Sequence, residues 1–175
     1  MSEFIKVYHV ETHEENFDRL MTTIEHCIER DPQRIYANMS HTDYHGGRVS
    51  YTDYKIHAHE IQKPYQPYKS LWRKMISPYI KDYMESFGCD NLRQHNTWFA
   101  QYYDGADFGW HTHTGTNLSC VYLLEGTPRD ATQFWGFNIK VKEGDLVLFP
   151  AMVRHRSPQV NHGRKTIIAQ NMDIL

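Results

Sequence analysis

From residue 96 onward the sequence breaks into short runs rich in β-branched and aromatic residues: TWFAQYY, NLSCVYLL, TQFWGFNIKV, DLVLFP and KTIIAQNM. Turn formers separate them, namely Asp104-Gly105, Gly126, Pro128, Gly144, Pro150 and Gly163. Several strands of this length, punctuated at this spacing, predict a small barrel or jelly roll.

The first half reads differently. Residues 4–10 (FIKVYHV) suit a first strand. Over 14–30, Phe17, Leu20, Met21, Ile24, Cys27 and Ile28 recur at helical spacing, with Thr12 as the cap and Asp31-Pro32 as the stop. Residues 70–87 repeat that pattern through Leu71, Trp72, Met75, Ile76, Ile80, Tyr83, Met84 and Phe87. Pro78 is expected to kink or split this second helix, and Gly88 to end it. Residues 62–67 read as a connector. The His- and Tyr-rich stretch 38–60, with His41, His45, the Gly46-Gly47 turn and the pair His57 and His59, reads as a solvated loop or edge strand. Residues 36–59 and the loop 127–132 are where substrate contacts are expected. No linker divides the halves. The expectation is one domain over 1–175, mainly β with flanking helices (α+β), in which 1–95 supply helical support and a substrate rim and 96–175 the jelly-roll metal core.

The chain has 175 residues and a formal net charge of −2, so it carries no electrostatic footprint for nucleic acid or an anionic membrane. Cys27, Cys89 and Cys120 are too few and too widely spaced for a disulfide framework or a CxxC zinc site. No apolar run reaches the length of a membrane span, and the N-terminus lacks a secretory pattern. A cytoplasmic setting is the default, with a homo-oligomer left open.

Chemistry concentrates at His111-Thr112-His113. On an extended strand these two imidazoles share one face about 7 Å apart along the chain, and can converge on one metal ion. His155, in FPAMVRHRSPQV, is the natural third ligand. The frame is specific: Tyr102, Gly105, Phe108, His111 and His113 give Y-x-x-G-x-x-F-x-x-H-x-H, and Gly144, Pro150 and His155 give G-x5-P-x4-H. Three His ligands suit Fe, Zn, Cu, Ni or Mn, with an open face for water or substrate. By contrast His57-Ala58-His59 stands among charges with no such frame. Arg164 and Thr166 share a strand face after His155. An Arg there is expected to clamp a carboxylate bidentately, with the hydroxyl assisting. Together these residues describe a site for a small dicarboxylate that chelates the metal at one end. Asn117 is a further candidate contact for it. Trp98, Trp110 and Trp135 read as core or rim aromatics.

Over residues 96–174 the chain resembles the iron(II)- and 2-oxoglutarate-dependent dioxygenases, in particular the small prolyl-hydroxylase-like and phage-type members. Tyr102, Gly105, Phe108 and His111 fall on that family's tyrosine, glycine, aromatic and first metal histidine. His155 matches the distal histidine, and Arg164 and Thr166 match the pair that holds the 2-oxoglutarate carboxylate. The resemblance implies a double-stranded β-helix core with helices on the outside of one sheet. It also implies Fe(II), 2-oxoglutarate and dioxygen as cofactor and co-substrates, and hydroxylation of a small-molecule or peptide substrate. The family's usual carboxylate two residues after the first histidine is here His113.

That third imidazole keeps two other readings open. The same residues fit the cupin pattern, G-x5-H-x-H from Gly105 followed by G-x5-P-x4-H, although the cupin Glu has only Asn117 near its place. A three-His metalloenzyme that does not use 2-oxoglutarate is therefore an alternative, as is a jelly-roll binding protein with a vestigial metal site.

Overall fold

The computed structural model describes residues 2–30, 49–54 and 66–175. The expected stop at Asp31-Pro32, the histidines at 41, 45, 57 and 59, the Gly46-Gly47 turn and most of the 62–67 connector lie outside the described residues.

After a single 3-10 turn over Ser2–Phe4, the elements run β1 (Lys6–His9), α1 (His13–Arg30), β2 (Tyr51–Thr52), α2 (Tyr68–Glu85), β3 (Leu92–Tyr103), β4 (Phe108–His111), β5 (Leu118–Glu125), β6 (Gln133–Phe134), β7 (Asp145–Pro150), β8 (His155–Ser157) and β9 (Arg164–Ile174). A six-stranded antiparallel sheet has the order β1-β7-β5-β9-β3-β2, and a three-stranded one the order β4-β8-β6. Residues 1–95 thus supply both edge strands of the large sheet as well as the helices.

The large sheet is apolar on both faces, so each face carries its own core. Ile168 and Met172 of β9, Phe99 of β3, Leu118, Cys120, Tyr122 and Leu124 of β5, and Leu146 and Leu148 of β7 face the helices. They meet Leu20, Met21, Ile24 and Cys27 of α1 and Trp72, Met75, Ile76, Ile80, Tyr83 and Met84 of α2. The alternate residues Ile167, Ala169, Ala100, Tyr102, Val121, Leu123, Val147 and Phe149 face the small sheet, where they meet Phe134, Val153 and Val160. Alternation of side chains along each strand is what sorts the two sets.

Two local expectations are revised, and Thr12 stands at the cap position as expected. Pro78 does not split its helix, which runs unbroken from Tyr68 to Glu85. The proline lies on the exposed side, where water can take over the carbonyl it leaves unpaired. In TQFWGFNIKV only Gln133–Phe134 is strand. Gly136, at φ +78°, turns the chain back, and Phe137 N–H returns to the Phe134 carbonyl. Thr12 opens α1 through its carbonyl, which accepts from Asn16 N–H at 3.2 Å.

Asp53 ties the outer parts together. It is buried, accepts from Phe99 N–H at 2.8 Å and Tyr68 O–H at 2.6 Å, and lies 3.6 Å from Lys69 Nζ. The edge beside β2, the start of α2 and the middle of β3 are thereby joined by one carboxylate. Gly144, at φ +84°, makes the turn into β7, and a Cβ there would sit 2.9 Å from the His9 ring and 3.0 Å from that of His13. Gly144→Ala combines left-handed strain with this crowding. It is expected to cost about 1–3 kcal/mol of unfolding free energy, measured by urea titration.

Candidate metal centre

His111 closes β4 and faces His155, the first residue of β8, as its cross-strand partner. His113 lies two residues past the end of β4, and its N–H donates to the Ala151 carbonyl at 2.9 Å. One ligand nitrogen from each of the three lies within 4.8 Å of the others. Among the described residues this is the one group of His, Cys, Asp or Glu that converges so.

Backbone carbonyls fix two of the rings. His111 Nδ1 lies 2.8 Å from the Gly109 carbonyl and His155 Nδ1 2.9 Å from that of Val153. A carbonyl only accepts, so both Nδ1 atoms carry the proton and both Nε2 lone pairs turn inward. Burial, reinforced by the two neighbouring imidazoles, holds His155 well below the usual histidine range. It is neutral at physiological pH, the form that ligates. Phe149 and Phe108 pack on His155 and His111 with ring centroids 4.7 and 4.5 Å apart. These contacts leave little room for the rings to turn. The donor set and its convergence fit a divalent ion with open coordination positions.

The cluster lines a cavity of about 200 Å³ between the two sheets. Tyr54 and Trp98 stand at its partly exposed end with ring centroids 4.9 Å apart, and Val49 and Thr52 join them. These four include the described part of the expected rim, and Thr132 brings the 127–132 loop to the same cavity. Trp110 and Trp135 lie outside it. They pack together and carry Arg156 and Arg154 over their rings at 4.7 and 5.0 Å.

Arg164 and Thr166 do not share this cavity. Arg164 forms a two-pronged pair with Glu125, Nε–Oε2 2.7 Å and Nη2–Oε1 2.9 Å, and reaches Glu25 of α1 at 2.8 Å. Those hydrogen bonds raise its pKa further. Thr166 Oγ1 donates to the same Glu125 at 3.0 Å. Both stand on the helix-facing side of β9, so their expected place beside the metal is corrected by one residue of register. Asn117 is also away from the cavity: its amide pairs both ways with the Ile174 backbone, at 2.9 and 2.8 Å.

Arg156 is the cation that lines the cavity, and Lys165 stands behind its wall, on the same face of β9 as Ile167 and Ala169. Lys165 is fully buried, its Nζ donates to Ser157 Oγ at 2.7 Å and to the Asp130 carbonyl, and it stands 5.0 Å from the Tyr102 ring centroid. Tyr102, Ser157 and Thr132 line the deep end of the cavity. Ser157 is two residues beyond His155 on one strand face, about 7 Å along. The cavity therefore carries the three-imidazole cluster on its wall, and a buried ammonium lies one hydrogen bond behind Ser157. Burial lowers the Lys165 pKa to about 7, with Asp130 opposing. Sequence reasoning missed Lys165 because it passed over the middle residue of Arg164-Lys165-Thr166. It also missed Asn171, a polar residue in an apolar strand, which lines the cavity beside His113.

Arg164→Ala is expected to lower stability by about 1 kcal/mol, since its pairs are partly exposed, while leaving the cavity unchanged. Lys165 gives a pH signature. A lysine that titrates near 7 when folded and near 10.4 when unfolded opposes folding while charged. Stability should therefore rise as pH increases from about 7 towards 10, and urea unfolding of Lys165→Met should lose that slope.

No protein-family model matches the chain, and no curated protein does. Solved structures match along nearly its whole length. The viral collagen prolyl hydroxylase of Paramecium bursaria Chlorella virus-1, in complex with 2-oxoglutarate, aligns with a TM-score of 0.64 at 12% identity, covering 98% of this chain and 96% of that one. A Pseudomonas putida prolyl-4-hydroxylase aligns at 0.59 and 16% identity, covering 97% and 92%. HygX from Streptomyces hygroscopicus, with nickel and 2-oxoglutarate bound, aligns at 0.63 and 11% identity, covering 98% and 83%. Identities this low speak to architecture: the chain has the double-stranded β-helix fold of the iron(II)/2-oxoglutarate oxygenases.

Proposed function

We propose that this protein is an Fe(II)- and 2-oxoglutarate-dependent oxygenase, a hydroxylase acting on a small-molecule or peptide substrate. The observation that carries the reading is the His111, His113 and His155 cluster in a cavity whose wall residue Ser157 is hydrogen-bonded to the buried ammonium of Lys165. Among the described residues no carboxylate pairs directly with this ammonium, and Asp130 offsets its burial only in part, so an incoming carboxylate relieves it. A short diacid whose 2-oxo end chelates the metal places its distal carboxylate towards Lys165.

Each residue has a defined task. The three imidazoles would hold the ion. When bound, iron(II) supplies the redox chemistry that couples decarboxylation of the 2-oxo acid to oxidation of the substrate. Lys165 receives the distal carboxylate, helped by the Ser157 hydroxyl, with Tyr102 walling the same end. Val121, Ile167, Ala169 and Phe108 keep water from the reacting groups. The cavity is small enough to be filled by the diacid, so the substrate approaches from the Tyr54 and Trp98 end. The HygX structure, which holds nickel and 2-oxoglutarate on the same fold, supports this assignment.

The third imidazole favours one rival, a three-His metalloenzyme that takes no 2-oxoglutarate. Anaerobic addition of Fe(II) and then 2-oxoglutarate to metal-stripped protein separates them. A saturable visible absorption band on adding the diacid is expected. Iron binding with no such band would leave the rival standing.

Lys165→Met should weaken diacid binding by about 2–5 kcal/mol, the usual cost of removing one partner of a buried charge pair. Arg164→Ala should change it less than twofold. Diacid affinity should also fall as pH rises above about 7, because there the free protein must first take up the proton that Lys165 has lost. Calorimetric titration across pH 6–9 reads both effects.

A further inference from the structure

The outer side of the small sheet carries a row of side chains that the metal cavity does not use. Arg156 borders the cavity, but its guanidinium is turned away from it. Its Cζ lies 4.7 Å from the Trp110 ring centroid and its Nε donates to Gln133 Oε1 at 2.9 Å, and neither partner lines the cavity. Arg154, just before β8, lies over Trp135 at 5.0 Å, and its carbonyl accepts from Trp135 N–H at 2.8 Å. The two indoles meet edge to face with centroids 5.1 Å apart. Arg156, Trp110, Trp135 and Arg154 thus form one continuous row.

The row is exposed and its surroundings are basic. Trp135 is 57% and Met152 80% exposed. Met152 follows Ala151, whose carbonyl holds the His113 N–H, so this surface reaches the rim of the metal cavity. Beside Trp110 a groove of about 980 Å³ runs along residues 136–142, with the exposed Lys140 and Lys142 on its wall. Residues 126–163 hold five cations, Arg129, Lys140, Lys142, Arg154 and Arg156, against three acids, in a chain whose net charge is −2. Two of those acids, Asp130 and Asp145, are buried. Among the described residues no ion pair engages any of the five cations, whereas Lys69, Arg93 and Arg164 are all paired.

A guanidinium stacked on an indole is held in one orientation, and its edge can take a carboxylate through two parallel N–H donors. Little rotamer freedom is then lost on binding. A nucleotide base needs a bare aromatic face to stack on, and here the guanidiniums lie over the rings, which favours a peptide over a nucleic acid.

We propose that the outer face of the small sheet docks an acidic peptide segment, whose carboxylates pair with Arg154 and Arg156 and whose intervening residues rest on Trp135 and Met152. The assignment does not depend on whether the cavity uses 2-oxoglutarate.

The test is fluorescence anisotropy with a labelled dodecapeptide of alternating Glu and Ser, compared with its Gln–Ser counterpart and with an oligothymidylate of the same length. The Glu peptide should bind about tenfold tighter than either, and more weakly as salt is raised. Arg154→Gln and Arg156→Gln should each weaken it about fivefold, as should Trp135→Ala, which removes the support under Arg154. Lys81→Gln makes the same charge change on α2 and should leave the affinity within about twofold of native. Equal binding of the Glu and Gln peptides, tighter binding of the oligothymidylate, or an Arg154→Gln affinity within about twofold of native would overturn the proposal. A 2-oxoglutarate–iron absorption band in native protein that does not bind the Glu peptide would remove the docking surface and keep the oxygenase reading. Binding of the peptide with no such band would do the reverse.

Discussion

The alternation of side chains along β9 is the constraint on which both cores and the candidate site depend. The strand sits between β5 and β3 in the large sheet, and nearly all its residues are buried. One face presents Thr166, Ile168, Gln170 and Met172 to the helices. The other presents Ile167, Ala169 and Asn171 to the cavity, with Lys165 on the same face behind Ser157. A slip of one residue would exchange them, putting Arg164 beside the histidines and Lys165 against Glu125. Pairing on both flanks, Tyr102 with Lys165 and Val121 with Ala169, fixes the register. It is set by apolar burial over the whole strand, which carries Asn171 to the cavity and Lys165 to the residues behind its wall.

Around this frame the site is held more firmly at some points than at others. His111 and His155 are cross-strand partners whose rings are anchored by main-chain carbonyls within two residues. Such anchors do not depend on any other side chain. Lys165 is different in kind. Its ammonium touches a hydroxyl, a carbonyl and a tyrosine face, and the Asp130 carboxylate offsets its burial only in part. The protein carries that unfavourable burial by drawing on the apolar cores on either side, as sites prepared for an anion do.

Much of this was legible in the sequence. The helical faces of Leu20 to Cys27 and Trp72 to Met84 could be read from spacing, as could DLVLFP as a strand and the His-x-His with its distant partner. The G-x5-P-x4-H frame works because Gly144 turns into β7 and Pro150 ends it, delivering His155 opposite His111. What could not be read was the face on which each residue of Arg164-Lys165-Thr166 falls. The run that follows, IIA, is apolar on both faces, so no alternation marks inside from outside, and an arginine is the more familiar carboxylate clamp. Asn117 misled for a related reason: a polar residue before a strand reads equally well as a ligand contact or as the end-piece it is. TQFWGFNIKV had strand composition, but Gly136 in the left-handed region ended it early. Pro78 was read as a breaker because its exposure was unknown.

The position of β9 also shapes how the fold can assemble. It follows every other strand of its sheet in sequence, yet it lies between β5 and β3 and pairs with both. Until it is placed, those two strands present unpaired hydrogen-bonding edges to solvent, and most of the contacts that would join them are far apart in the chain. Topologies of this kind fold slowly and expose sticky edges while they wait. All three histidines precede β9, whereas Lys165 and Asn171 belong to it. A chain caught before β9 docks would have its imidazoles but neither the ammonium nor the amide beside them. The insertion of one strand thus completes the sheet, closes the cavity and supplies both of those groups in a single event.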